Sequence, residues 1–218
     1  RISLITVSTA NARFACAAAM CFLVVMAIEV YPYQKIDGTT GAPMGGLGSG
    51  AIKFCSWRGT FALADVTINN IVFAAVPGMR FQFYSNRAGG AVQTADTLKV
   101  PLVNGVYDDD AVYPVQTANF GVRNGVGVSL LAFSPIDFAN VDNMCYPMAM
   151  YELTLTNTQS SAVDVSTALL LPTNGVPSLV AGRGIVSTDA RGRAVYASSD
   201  AANPVFSYGN DNGFFTAG

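Results

Sequence analysis

The chain has 218 residues, 51% of them hydrophobic and only 12% charged, which excludes intrinsic disorder, a coiled coil and a salt-bridge-rich helical bundle. Lys+Arg 12 against Asp+Glu 14 leaves a net charge of -2, so no basic footprint for nucleic acid exists. Histidine is absent, which excludes Ser-His-Asp chemistry, Cys-His chemistry and His-based zinc sites within this chain.

Residues 1–13 are mildly polar, with Arg1 and Arg13 and no acid. From Phe14 to Ile28 no charged or strongly polar residue occurs, and Glu29 ends the run. A membrane span needs about 20 apolar residues, more than this run supplies, whereas a signal-peptide core is shorter and follows positive charge. Residues 1–29 therefore read first as a signal peptide with cleavage near Ala27, second as a packed helix or strand, third as a hydrophobic anchor. The start at Arg1 and the end on Phe214-Phe-Thr-Ala-Gly218 read as a fragment of a longer protein.

From residue 30 on, turn signals recur between short apolar or alternating runs. The expected strands are Ser49–Cys55, Phe61–Ile68, Arg80–Ser85, Leu98–Val103, Tyr113–Val122, Val126–Ser134, Met148–Asn157, Val163–Leu171, Gly184–Thr188 and Ala194–Ser198. In Met148–Asn157, Ala149, Tyr151, Leu153 and Leu155 alternate with Met150, Glu152, Thr154 and Thr156, the period of a half-buried strand. Asn124-Gly125 between Val122 and Val126 is a hairpin signal, and Asp189-Ala-Arg-Gly-Arg193 looks like another. No amphipathic helix follows Ile28, so helix is expected only in the N-terminal segment. The expectation is an all-β, antiparallel β-sandwich over residues 30–218, preceded by the short hydrophobic segment.

Gly41-Ala-Pro-Met-Gly-Gly-Leu-Gly-Ser-Gly50 is the most unusual stretch. Gly46-x-Gly48-x-x-Ala51 formally matches a dinucleotide fingerprint, with Asp65 downstream. No apolar strand precedes it, however, and Ala51–Trp57 reads as strand, so no helix N-terminus would face a pyrophosphate. Ala51 and Ile52 also stand where a P-loop requires Lys and Ser or Thr. What remains is a tight backbone path at a strand entrance.

Ala42-Pro-Met-Gly-Gly-Leu-Gly-Ser-Gly-Ala-Ile52, then Arg58-Gly-Thr-Phe61 and Val66-Thr-Ile-Asn-Asn70, resembles the N-terminal domain of glycoside hydrolase family 116. Leu131-Ala-Phe-Ser-Pro135 and Tyr146-Pro-Met-Ala-Met-Tyr-Glu-Leu-Thr-Leu-Thr-Asn157 are similar to a second block of that family, and Asp164-Val-Ser166 continues it. The resemblance covers roughly residues 40–175 and leaves 176–218 without a counterpart. It implies an N-terminal β-sandwich on a C-terminal (α/α)6 catalytic barrel, of the kind found in non-lysosomal glucosylceramidases and bacterial and archaeal β-glucosidases. Such enzymes cleave β-glucosidic bonds with retention. Their Glu nucleophile and Asp acid/base lie in the barrel, so no catalytic residue transfers to this chain. The implied partner is the catalytic domain of the same protein, with carbohydrate second.

Several other groups carry two readings each. Asp108-Asp-Asp110 reads as a solvated turn, with a surface Ca²⁺ site as the alternative. Glu152 reads as a polar residue on a strand face. Trp57, Arg58, Phe81, Phe83 and Tyr84 read as core or interface residues before a sugar-stacking platform. In a secreted chain Cys55 and Cys145 could form a disulfide, the alternative being two buried thiols. No cofactor and no metal ligand is assigned. Gly45, Gly46, Gly48, Gly50, Trp57 and Arg58 are assigned to a domain interface or active-site rim, on the argument that a glycine run lets another backbone approach closely. The resulting reading is a non-catalytic N-terminal domain that supports a β-glucosidase-like barrel. Its rival is a stand-alone secreted β-sandwich for carbohydrate binding or surface assembly.

Overall fold

The computed structural model describes residues 2–4, 41–46, 50–64, 66–67, 70–71, 73–87, 96–137, 139–146, 148–171, 176–180, 184–188 and 194–199. The Phe14–Ile28 run, Gly48, the Asp189–Arg193 connection and residues 200–218 lie outside them. In chain order the strands begin with β1 (Ile2–Leu4), β2 (Ala51–Cys55), β3 (Thr60–Ala64), β4 (Val66–Thr67), β5 (Asn70–Ile71) and β6 (Ala74–Val76). They continue with β7 (Arg80–Asn86), β8 (Asp96–Thr97), β9 (Leu102–Val103), β10 (Val106–Tyr107), β11 (Asp109–Val112), β12 (Val115–Arg123) and β13 (Val126–Phe133). A single helical turn, α1 (Val141–Met144), precedes β14 (Met150–Asn157), β15 (Asp164–Leu170), β16 (Val176–Val180), β17 (Gly184–Thr188) and β18 (Ala194–Ala197).

Among the described residues the chain is nearly all-β, and its strand pairs are antiparallel. One four-stranded sheet runs β11-β12-β13-β14, and another runs β1-β15-β7-β8. Three-stranded sheets β2-β3-β6 and β16-β17-β18 accompany them, with two-stranded pairs β9-β10 and β4-β5. Alternation decides the layering. In β12 and β13, Ala118, Phe120, Val126, Val128 and Leu130 point inward and are buried, while Thr117, Asn119 and Ser129 point out. These inward residues meet Phe54 and Phe61 of β2 and β3, Phe81 and Phe83 of β7, and Leu169 of β15 in one core. Two layers of sheet enclosing one apolar core make a β-sandwich.

Aromatic rings fill its centre. Phe54 lies 4.9 Å from Phe61, 5.3 Å from Phe81 and 6.2 Å from Phe120, centroid to centroid. Tyr151 of β14 joins edge-on at 5.6 Å from Phe61 and 5.7 Å from Phe81. Its hydroxyl has no hydrogen-bond partner among the described residues, and burial pushes its pKa upward.

Several expectations hold in place and register. Met150–Asn157 keeps Tyr151, Leu153 and Leu155 on the core face. Asn124 and Gly125 form the β12–β13 turn with φ of 48° and 72°, the left-handed pair such a tight hairpin requires. Strands β17 and β18 pair from Thr188↔Ala194 outward, as the second hairpin signal implied.

Others need correction. The expected strand Leu98–Val103 does not form. Residues 98–101 run irregularly through Pro101 after β8, and Leu102 and Val103 form β9, the first strand of a small hairpin turning on Asn104-Gly105 at φ of 51° and 78°. Helix is not confined to the N-terminal segment either. Asn140 caps α1 by accepting from Asp142 N at 3.1 Å, and Asn143 and Ala139 donate to Asp137, holding its carboxyl below the usual range. Three polar side chains, Asp137, Asn140 and Asn143, thus wind a turn that no apolar periodicity announced.

Candidate functional site

The glycine segment is tied down from both layers. Met44 and Ile52 exchange backbone hydrogen bonds at 2.8 and 2.7 Å. Gln116 of β12, fully buried, donates to the Phe54 carbonyl at 3.0 Å and accepts from Ala42 N at 3.3 Å. Gly45 N donates to Ser134 Oγ at 2.7 Å. A Cβ on Gly46 would stand 2.4 Å from the Tyr146 carbonyl oxygen and 2.5 Å from that of Cys145. A Cβ on Gly45 would meet the Gly50 oxygen at 2.4 Å. The close approaches that Gly45 and Gly46 permit are therefore made within the domain, Gly45 against Gly50 and Gly46 against the chain that leads into β14. Gly50 opens β2 at a φ of 102°.

The structure does bring Trp57 and Arg58 together. Both sit in the β2–β3 turn, closed by Gly59 N donating to the Cys55 carbonyl at 2.8 Å. The Arg58 guanidinium lies 4.4 Å from the centre of the half-buried Trp57 ring, and Tyr107 of β10 flanks that ring at 6.1 Å. Phe81 and Phe83 are core residues, so they form no platform with them.

The acidic run is not the solvated turn expected of it. Asp109 starts β11 and accepts from Ser56 Oγ, while Asp108 accepts from Asn119 Nδ2 at 2.7 Å. Donors on β12 and on the β2–β3 turn satisfy two of the three carboxylates, and this lets the run enter a sheet edge. Among the described residues no group of three or more Cys, Asp or Glu side chains is placed to hold a metal ion. No disulfide joins Cys55 to Cys145. Cys55 is in the core as a thiol and Cys145 is exposed after α1. A buried thiol on β2 and a surface thiol in the 134–149 connection serve different environments.

Sequence reasoning missed the outward face of the β11–β14 sheet. The register aligns Val112, Val115, Phe133 and Met150 in one row across all four strands. The next outward row is Asp110, Thr117, Leu131 and Glu152. The available signal was a break in alternation: Leu130-Leu-Ala-Phe133 is apolar on both phases.

A family model for the N-terminal domain of glycosyl-hydrolase family 116, described as beta-glucosidase 2, matches residues 41–202. The match extends past residue 175 and takes in β16, β17 and β18, which the sequence reading had left without a counterpart. No curated protein matches the chain. With roughly three quarters of its residues matched, on a β-sandwich whose glycine segment closes against its own sheet, this chain belongs to glycosyl-hydrolase family 116 as its N-terminal domain.

Proposed function

We propose that this domain is the non-catalytic partner of a catalytic domain in the same protein, within a β-glucosidase or glucosylceramidase-like retaining glycoside hydrolase. The family match over residues 41–202 carries the reading. The residues of this chain agree with it. Retaining hydrolysis needs two carboxyls about 5 Å apart, one held protonated by its surroundings. Here Asp108 and Asp109 are hydrogen-bonded at a sheet edge, and Glu152 projects from an outward strand face. The test is aryl β-glucoside cleavage by residues 30–218 with and without the downstream region. Cleavage is expected only with it. Activity of the domain alone would overturn the reading, and an inactive domain that binds sugars would favour the stand-alone rival.

Export belongs to the same proposal. Its support is the charge-free run Phe14–Ile28 following Arg13. The intact mass of the mature protein is expected to lack residues up to about Ala27. A retained N-terminus would argue for an anchor or a packed segment.

A further inference from the structure

We infer that the catalytic domain docks on the outward face of the β11–β14 sheet, at the end where β13 passes into β14. This rests on the function proposed above and says which surface of the domain performs it.

The placement follows from register and connection. Val112, Val115, Phe133 and Met150 form the last outward row of all four strands. At a strand spacing of about 4.8 Å such a row spans about 14 Å. The Tyr113-Pro114 turn and the 134–149 connection leave the sheet at this same end. They add Val141 at 62% exposure, Tyr146 at 59% and Met148 at 41%, and Met150 itself is 41% exposed. Leu131 extends the apolar surface into the second row. Single exposed apolar residues are ordinary, but a row of them across all four strands of a sheet, with more in the loop that leaves its end, marks an interaction surface.

Charge selects the occupant. Residues 101–160 contain six acids and one base, and that base, Arg123, lies at the far end of the sheet bonded to Asp96 at 2.9 Å. Asp110 and Glu152 border the strip at the two edges of the second row, and Asp137 and Asp142 border it in the connection. A second copy docked across a two-fold axis would press these acids against their equivalents, and an anionic membrane would be repelled likewise. The fitting partner is an apolar surface rimmed by Lys or Arg, held on the same polypeptide. Inter-domain contacts of about 600–1,500 Å² are typical for such an arrangement.

The glycine segment then has a positioning role. Gly45 binds Ser134 and Gly46 abuts Cys145 and Tyr146, so the motif holds the connection that carries Val141, Tyr146 and Met148.

Cys145, exposed within that connection, reports on the contact. In the full-length protein, peptide-resolved maleimide labelling of Cys145 is expected to run at least tenfold slower than labelling of an unstructured thiol. The double change Val115→Asp and Met150→Asp is expected to restore fast labelling, as is Asp110→Lys with Glu152→Lys. Val122→Asp, which adds the same charge at a 66% exposed site at the opposite end of the sheet, should leave protection unchanged. An active full-length enzyme whose unaltered Cys145 labels as fast as the unstructured thiol overturns the docking surface and leaves the proposed function standing. A chain with no catalytic domain downstream overturns both. Protection lost on dilution would assign the strip to a second copy and also overturn the inference.

Discussion

Phe54→Ala is expected to lower the stability of the domain by about 4 kcal/mol, with an unchanged urea m-value. Phe54 is fully buried and its ring contacts Phe61, Phe81 and Phe120, which come from three different strands in both layers of the sandwich. Its truncation removes transfer free energy and leaves a cavity that four rigid β-strands cannot collapse to fill. The backbone adds to the cost. The Phe54 carbonyl accepts from Gln116, which in turn receives Ala42 N, so displacement of β2 unsettles the entrance of the glycine segment as well. For a domain of this size the loss corresponds to a fall of about 8–16 °C in Tm. Leu102→Ala, on the exposed β9–β10 hairpin, should stay within about 0.5 kcal/mol. Equal effects at the two sites would mean that Phe54 is not the centre of the core.

What could be read from the sequence divides along the reach of the forces involved. Alternation in Met150–Asn157 and the Asn124-Gly125 turn are local, and strand, register and core face all followed from them. The β9–β10 hairpin carries the same Asn-Gly signal at Asn104-Gly105, with Pro101 before it as a break, yet its strands are two residues each and too short to show a period. Asp109 lies beyond local inspection altogether. Its donor, Ser56, is 53 residues earlier in the chain, and only the folded sandwich brings them together. The glycine segment illustrates a different limit. The sequence shows that a backbone must come close to it, and the structure supplies which one: the chain at Cys145–Tyr146. The interface inferred above lies instead on the sheet face, whose apolar residues are legible one by one and become a surface only through the β11–β14 register.

Arg87→Met is expected to cost about 3 kcal/mol, although arginine is ordinarily a surface residue and this one touches neither the aromatic core nor any carboxylate among the described residues. Arg87 follows β7 and is only 6% exposed. One arm of its guanidinium donates to Ser161 Oγ at 2.6 Å and to the Ser161 carbonyl. The other donates to Asn157 Oδ1 at 2.9 Å and reaches the Asn124 carbonyl at 3.5 Å. One side chain thus joins the end of β7 to the β12–β13 turn and the β14–β15 turn, linking the two layers at the end of the sandwich opposite the docking strip. Asn124 Nδ2 donates to the buried Ser85 Oγ at 3.2 Å and reinforces the same junction. Hydrogen bonds from a charged donor are worth about 1.5–3 kcal/mol each, and removing several is offset in part because a guanidinium no longer has to be desolvated. The net loss falls near 3 kcal/mol. Arg87→Lys should recover little of it, since an ammonium cannot span acceptors on two turns as the planar fork does. Urea unfolding of both variants, paired with amide exchange at the β12–β13 and β14–β15 turns, checks the argument. A methionine variant within about 1 kcal/mol of the parent, or a lysine variant as stable as the parent, would show that the fork does not hold the layers together.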